Sequence, residues 1–283
     1  MLIANPIYDV VFKRLMEDER IAKFFIGTLL DEIIEEVQVM PQEFTYTDQL
    51  AGLAVFRVDF IATIKTQEGI FRKVLIEIQK AKNLIDLMRF RNYLAEQYKK
   101  EDEVETATGK QKTALPIVTI YLLGFNLPEV ETPAVRVQRQ YKDLIANRII
   151  EKKSEFIEKL THDCFVIQLP RIDAKYQTRL DKLLSIFEQA HFVDEAKTTK
   201  LFNHETDIEE VKIMTDLLHY TGTDPAEKKK IEIEQEAWRS VEAMLEESNA
   251  RTEKLQSKLS EAESKLSEAA KEIEELKRRL GER

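Results

Sequence analysis

The sequence predicts an α/β domain, a mixed sheet flanked by helices, followed by a long C-terminal helix that forms a coiled coil. Three observations lead to this fold class. Strand-like stretches lie between amphipathic helical stretches through most of the chain. Only 7 Gly and 7 Pro occur in 283 residues, which disfavours an all-β fold with many turns. After the turn-rich segment TGTDP (221–225) a seven-residue periodicity begins, and Gly and Pro are absent until Gly281.

The elements of the first part follow from local patterns. In NPIYDVVFKRLME, Asn5 is the expected helix N-cap and Pro6 the first helical residue, and ERIAKFFIGTLLDEI is a second helix. FRVDFIATIK (56–65) and VLIEIQ (74–79) alternate like strands. A helix follows over residues 84–100. Its expected apolar stripe is Leu84, Leu87, Met88, Leu94 and Tyr98.

The later elements alternate in the same way. LPIVTIYLLGF (115–125) is a continuous apolar run, which predicts a buried central strand. CFVIQLPRI (164–172) predicts another strand that ends at Pro170. YQTRLDKLLSIFEQA and ETDIEEVKIMTDLLHY are amphipathic helices.

The C-terminal periodicity predicts a coiled coil. Its two series of seam positions are Trp238, Leu245, Thr252, Leu259, Leu266, Ile273 and Leu280, and Val241, Ser248, Leu255, Ala262, Ala269 and Leu276. SKLSEAE at 257 is followed by SKLSEAA at 264, a direct heptad repeat. We therefore expect a domain over residues 1–221, a linker and oligomerisation helix over 222–283, and a homo-oligomer, most simply a dimer, joined through residues 231–280. The alternative is a single solvated helix.

Composition and charge narrow the class of protein. One cysteine cannot form an intramolecular disulfide, the N-terminus lacks a signal-peptide pattern, and no apolar run reaches the roughly 18 residues of a membrane span. We expect a soluble cytoplasmic protein without membrane contact. The net charge of −9 argues against a large nucleic-acid surface, yet residues 80–153 carry +4, from 14 basic and 10 acidic side chains. This block indicates an anionic partner or a solvated face.

The two strands at 56–65 and 74–79 raise a chemical question. With Gly69 as the turn residue and the hairpin centred near Glu68, Asp59 lies opposite Glu77 on one face, and Gln79 opposite Arg57. Like charges in such a pair are destabilising unless a cation lies between them, and Mg²⁺ or Mn²⁺ prefers oxygen ligands of this kind. The alternative is that both carboxylates are solvated at the sheet edge, with Arg57 pairing one of them.

The ordered motifs resemble a known family. DVVFK (9–13), VDF (58–60), IEIQ (76–79) and the later pair Arg89 and Tyr93 resemble the PD-(D/E)XK nucleases, in particular the recombination-promoting nuclease and putative transposase branch. The resemblance spans residues 5–100. It implies a restriction-endonuclease-like mixed sheet flanked by helices. It also implies a metal-dependent DNA endonuclease that hydrolyses phosphodiester bonds in recombination, in mobile elements or in defence against foreign DNA.

The resemblance also implies roles for single residues. Asp59 and Glu77 would bind Mg²⁺ or Mn²⁺, and Asp9 would be an outer carboxylate that supports the metal or the water. Gln79 stands where many of these nucleases have Lys, and an amide orients water but carries no charge. The candidate DNA-binding residues are Arg89, Tyr93 and Lys82. An ordinary helix pair covering the sheet is the alternative for Arg89 and Tyr93. The alternative function is an inactive nuclease-fold protein that binds DNA or acts as a scaffold and oligomerises through its coiled coil.

Overall fold

The structure is a computed structural model. It describes residues 1–40, 60–80, 84–106, 109–173, 175 and 177–281. The described chain divides into two compact units, Met1–Glu232 and Ile233–Arg283. The predicted boundary after residue 221 falls within the first unit, because the beginning of the last helix still packs there through Ile231, which is 1% exposed.

The element order alternates between helices and strands. The helices are α1 (Asp9–Met16), α2 (Glu19–Leu30), α3 (Leu84–Lys99), α4 (Glu155–Leu160), α5 (Arg179–Leu184), α6 (Glu209–Thr223) and α7 (Pro225–Gly281). The strands are β1 (Leu2–Ala4), β2 (Ile34–Val39), β3 (Phe60–Thr66), β4 (Phe71–Gln79), β5 (Asp102–Thr106), β6 (Gly109–Thr113), β7 (Ile117–Leu123), β8 (Ala134–Val137), β9 (Tyr141–Asp143), β10 (Arg148–Ile150), β11 (His162–Gln168) and β12 (Thr199–Leu201).

Six strands form the main sheet, in the order β2-β3-β4-β7-β11-β8. The three inner strands β4, β7 and β11 are mutually parallel, and β2, β3 and β8 are antiparallel to their neighbours. The apolar run at 115–125 is the central strand β7, as predicted. Six of its seven residues are buried, because helices cover both faces of a parallel sheet.

The larger core lies on one face of this sheet. Alternate residues of β4, namely Val74, Ile76 and Ile78, point into it and meet apolar side chains of α1, α2, α5 and α6. A cluster of three aromatic rings marks its centre, with Phe12 5.7 Å from Phe25 and 6.3 Å from Phe187 between ring centroids. The other face carries a smaller cluster, in which α3 covers β3, β4 and β7.

The N-terminal segment differs from the expectation for Asn5. Residues 2–4 are a strand paired with β12, and α1 begins at Asp9 with Tyr8 in the N-cap position. Asn5 is buried, and its amide donates to the carbonyl of Lys197 at 2.9 Å, while its side-chain oxygen accepts from the Ile7 amide at 3.2 Å. The expected N-cap therefore stabilises a turn between strand and helix, because an Asx turn uses the same side-chain oxygen as a cap.

The expected apolar stripe of α3 is also wrong in part. Leu87 and Met88 are 47% and 45% exposed, whereas Phe90 and Tyr93 are buried against the sheet. The helix buries Phe90 and Tyr93 because their rings fill the space above β3, β4 and β7. The spacing of apolar residues along the helix does not show the shape of that space.

The turn-rich break predicted at TGTDP is confined to Asp224, because residues 221–223 end α6 and Pro225 begins α7. α6 ends at Thr223, and the Asp224 carboxylate accepts from the amides of Ala226 and Glu227 at 3.0 Å each, which caps α7. In the second unit Trp238 is half-buried, whereas the Leu and Ile seam residues whose side chains the structure describes are exposed. These are Leu255, Leu259, Leu266, Ile273, Leu276 and Leu280, between 51% and 75% exposed. Within the described part of the chain, no helix has the length and apolar character needed to cross a membrane.

Candidate active site

The hairpin of β3 and β4 has the register predicted from its turn. Phe60 lies opposite Ile76 and Ile64 opposite Arg72, and the turn is closed by a hydrogen bond from the Gly69 amide to the Thr66 carbonyl at 2.8 Å. Gly69 has φ +78°, a conformation that side chains disfavour. Asp59, which precedes Phe60 in the sequence and was predicted to face Glu77, lies outside the described residues. So do Lys82 and the side chain of Arg89.

Glu77 is a buried carboxylate near the end of β4. It is 2% exposed and shares its face of the sheet with Leu75 and Gln79, opposite the larger core. Its partner on the parallel neighbour β7 is Tyr121, whose ring is 4.4 Å from Phe90 of α3 between centroids. An ionised carboxylate at such a position costs several kcal/mol, roughly, unless hydrogen bonds, a counter-charge or a cation compensate. Glu77 is therefore not explained by packing.

Tyr121 joins the site although the sequence analysis did not select it. Burial raises the pKa of its phenol, and the nearby Cys164 and the negative charge of Glu77 raise that pKa further. The phenol therefore stays protonated at neutral pH and retains a hydrogen-bond donor on the face that carries Glu77. The available signal was Tyr121 itself, a polar-tipped residue inside an otherwise apolar central strand.

The carboxyl ends of β4 and β7 meet the N-terminal segment. The Gly124 amide donates to the Gln79 carbonyl at 2.8 Å, and a Cβ on Gly124 would lie 2.8 Å from the Lys80 carbonyl oxygen and 3.0 Å from Ile7 Cδ1. The Lys80 Nζ lies 4.1 Å from the centroid of the Tyr8 ring. Lys80 thus contacts the side of the larger core, as its alternation with Gln79 predicts.

Asp9 begins α1 immediately after Tyr8, so this helix starts at the same sheet edge as Gln79 and Lys80. Its carboxylate forms an ion pair with Lys13 at 2.5 Å. Crevices at the carboxyl ends of parallel strands are where open α/β sheets bind ligands. The start of α1 therefore lies near the C-terminal end of β4, on the face of the larger core, whereas the side chains of Glu77 and Gln79 belong to the other face. In the sequence 68 positions separate Asp9 from Glu77.

Tyr93 lies beneath α3. It is 4% exposed and packs against Ile61, Leu75 and Ile117. These contacts correspond to the packing alternative for this residue, because a ring enclosed between helix and sheet has little surface for a ligand.

A buried ion pair lies nearer the N-terminal end of β4, on the face of the sheet that carries Glu77. Lys73 Nζ is 2.5 Å from Asp102 Oδ1, and both side chains are at most 5% exposed. Asp102 also accepts from the Leu115 amide at 3.1 Å. Lys73 precedes Glu77 by four residues on β4, which corresponds to about 13 Å at a strand rise of about 3.3 Å. This pair holds β5 against the sheet and was not anticipated, because Asp102 follows a helix with no strand pattern.

The oxygen atoms of the candidate site determine which metal ion it could bind. Carboxylate and amide oxygens suit Mg²⁺ or Mn²⁺, and buried Glu77 is a donor of this type. Among the residues that the structure describes, no group of three or more His, Cys, Asp and Glu side chains is placed to hold a metal ion. The second predicted ligand, Asp59, is not among them. Comparison of the chain with protein-family models, with curated proteins and with solved structures gives no match.

Proposed function

We propose that the protein is a metal-dependent DNA endonuclease that hydrolyses phosphodiester bonds. The observation that carries this proposal is the register of the β3–β4 hairpin. Its last described pair, Phe60 and Ile76, is adjacent in sequence to the two carboxylates, since Asp59 precedes Phe60 and Glu77 follows Ile76. The burial of Glu77 adds support, because a cation is one of the ways in which the cost of a buried carboxylate is compensated.

In this proposal Asp59 and Glu77 hold Mg²⁺ or Mn²⁺, and Asp9 is an outer carboxylate at the same sheet edge. The metal, when bound, polarises the scissile phosphate and lowers the pKa of the attacking water. Gln79 orients that water by hydrogen bonding. Tyr121 keeps its proton and serves as a donor beside Glu77, so it is not the general base.

The DNA contacts are assigned to the helix side of the site. Arg89 and Lys82 supply positive charge for phosphates, which an Arg fork binds through two hydrogen bonds. Tyr93 fixes α3 on the sheet and so positions Arg89, which precedes it by one helical turn. Its role in DNA binding is then indirect.

The tail is assigned to self-association. A homo-oligomer, most simply a dimer, forms through residues 231–280, because the exposed Leu and Ile residues of α7 recur at heptad spacing. The ion pairs Lys265–Glu261 and Arg279–Glu275 flank this seam. Two heads joined in one particle provide one site for each DNA strand.

A second candidate function is a DNA-binding or scaffold protein that has the nuclease fold but no turnover. Gln79 favours it, because an amide cannot supply the charge that Lys supplies in many relatives of the resembled family. The acidic net charge of −9 also favours it.

Cleavage of supercoiled plasmid tests the first function against the second. We expect wild-type protein to nick or linearise the plasmid with Mg²⁺ or Mn²⁺ and not with EDTA, and Asp59→Asn and Glu77→Gln to abolish cutting. Glu68→Gln is the matched control, because Glu68 is an exposed carboxylate in the turn of the same hairpin. Thermal melting of each variant excludes unfolding as the cause. No cutting by the wild type with either metal would favour the second function.

A further inference from the structure

An excursion between β8 and β11 presents exposed apolar side chains. We define the hairpin arm as residues 138–153, which contain β9 and β10. At its tip Leu144 is 88% exposed and Ile145 is 99% exposed. Two adjacent large apolar residues this exposed at a loop tip have no role in the fold of this unit, and exposed apolar groups of this kind mark binding sites.

The tip is rigid in its local geometry. The Asp143 carboxylate accepts from the amides of Ile145 and Ala146 at 2.9 Å and 3.0 Å, and Arg148 Nε lies 3.4 Å from the same carboxylate. Hydrogen bonds from Ala146 and Ile145 lower the pKa of the Asp143 carboxyl, so it remains an acceptor at neutral pH. Asn147 completes the turn with φ +53°. The backbone that carries the two apolar residues is thus held in a defined turn by local hydrogen bonds.

The base of the arm is fastened to the sheet. Arg139 pairs with Asp163 at 2.9 Å and with Glu158 at 2.8 Å, and these three side chains are only 17–20% exposed. The Tyr141 hydroxyl donates to Glu158 at 2.6 Å. The base of the arm is therefore fixed to β11 and α4 by ion pairs and a hydrogen bond. A fixed base is what an arm needs if its tip is to insert between bases.

The charge of the arm identifies the kind of partner. Residues 138–153 contain five basic and two acidic side chains, although the whole chain has a net charge of −9. Two of the five face acidic groups outside the arm, since Arg139 pairs with Asp163 and Glu158 and Lys153 lies 3.6 Å from Glu158. Lys142 and Arg148 flank the tip, and Lys152 follows it, all three exposed. Basic residues around an apolar tip match duplex DNA, whose phosphates attract the cations while Leu or Ile side chains enter between base steps. Two copies of this arm would repel each other.

The strand register gives the level of the arm's base relative to Glu77. After the arm, the chain returns to the sheet at His162 of β11, which pairs with Ile117 of β7. Tyr121, the residue of β7 that pairs with Glu77, lies four residues further along the same strand. That separation is about 13 Å along the strands. One turn of B-DNA extends about 34 Å, which exceeds this offset of the arm's base.

We propose that the hairpin arm binds duplex DNA by inserting Leu144 and Ile145 between base steps, with Lys142 and Arg148 on the adjacent phosphates. The choice of DNA rests on the proposed nuclease function. The arm thereby contacts DNA away from the cut and bends it, since an inserted wedge kinks the duplex.

The experiment measures binding without cleavage. Full-length Glu77→Gln protein in EDTA is titrated into duplexes of about 30 base pairs that carry a fluorophore at each end, so that energy transfer reports bending. One duplex is fully matched, and the other has a central mismatch, which lowers the cost of unstacking. The test variant adds Leu144→Ser and Ile145→Ser. The matched control adds Ile33→Ser, because Ile33 is 67% exposed and lies outside the arm.

We expect the tip variant to lose about tenfold in affinity, equivalent to about 1.4 kcal/mol, together with the bending signal and the preference for the mismatch. The Ile33→Ser control keeps all three. Lys142→Gln weakens binding to both duplexes equally and reduces the salt slope by about 0.9, the value for one phosphate contact.

Several results would overturn the inference. Equal affinity and bending by the tip variant would do so. So would the absence of DNA binding by the parent protein, or tip-dependent binding to phosphatidylserine vesicles without binding to DNA. Plasmid cleavage reports on the nuclease separately. A protein that bends DNA through the tip but never cuts contradicts only the nuclease proposal, and one that cuts but binds independently of the tip contradicts only this inference.

Discussion

Replacing Lys200 with Met should stabilise the protein at neutral pH, and the gain should disappear in alkali. Lys200 lies on β12, is 2% exposed and donates to the backbone carbonyl of Glu188. Burial lowers the pKa of its ammonium group to about 7 from the ordinary 10.5, and the charge of Glu188 opposes that shift. Folding below pH 7 must therefore bury a charge that water would solvate better.

The size of the effect follows from proton linkage. A pKa lowered from 10.5 to about 7 corresponds to an unfavourable contribution of about 4 to 5 kcal/mol at and below pH 7. Between pH 7 and 10.5 the unfolded chain binds a proton that the folded chain does not, so folding stability rises with pH by at most about 1.4 kcal/mol per pH unit. Met retains the apolar stem but loses the hydrogen bond to Glu188, which costs about 1 to 3 kcal/mol. We expect Lys200→Met to raise the free energy of unfolding by about 2 kcal/mol at pH 7.

Urea unfolding at pH 7, 8, 9 and 10 measures this difference between wild type and variant. The matched control is Lys175→Met, because Lys175 is 67% exposed and its removal should leave the pH dependence unchanged. The reasoning is refuted if the wild-type and Lys200→Met stabilities run parallel over this pH range, since Lys200 would then titrate alike in the folded and unfolded chains.

Three further outcomes are expected. Gly124→Ala should cost about 1 to 3 kcal/mol in urea unfolding, because the new Cβ meets a backbone oxygen at 2.8 Å; an unchanged midpoint would contradict that close approach. Lys73→Met should cost about 3 to 5 kcal/mol by leaving the Asp102 charge buried, and adding Asp102→Asn should restore most of the loss; additive losses in the double variant would argue against a coupled pair. Leu259→Asp in the full chain should shift the mass measured by light scattering to that of the monomer, whereas Lys271→Asp, at the outward-facing position of its heptad, should not; a wild-type monomer would rule out the coiled coil.

Local patterns were sufficient for several elements. The turn at Gly69 and the alternation of the flanking strands predicted the register that pairs Phe60 with Ile76, because a hairpin's register follows from its turn. The apolar run around Tyr121 predicted a central strand, because only a strand buried on both faces is apolar without alternation. The hairpin register and the central strand both depend on residues that are close together in the sequence.

Other features could not be read in this way. The sequence pattern of α3 favoured a stripe that includes Leu87 and Met88, but the helix exposes these two and buries Phe90 and Tyr93, because the shape of the sheet surface selects which side packs. Asn5 has the composition of an N-cap, yet its amide bonds to Lys197, far along the chain. Contacts between distant segments decide these cases.

By itself the sequence determined the alternation of helices and strands, the hairpin that carries Glu77 and the heptad pattern of the tail, since each depends on residue spacing within one segment. Only the tertiary structure placed Tyr121 beside Glu77, brought Asp9 to the edge that carries Gln79, and paired Lys73 with Asp102. Parallel pairing and packing join segments that the chain separates, and the energetic cost of burying each charge is set by those neighbours.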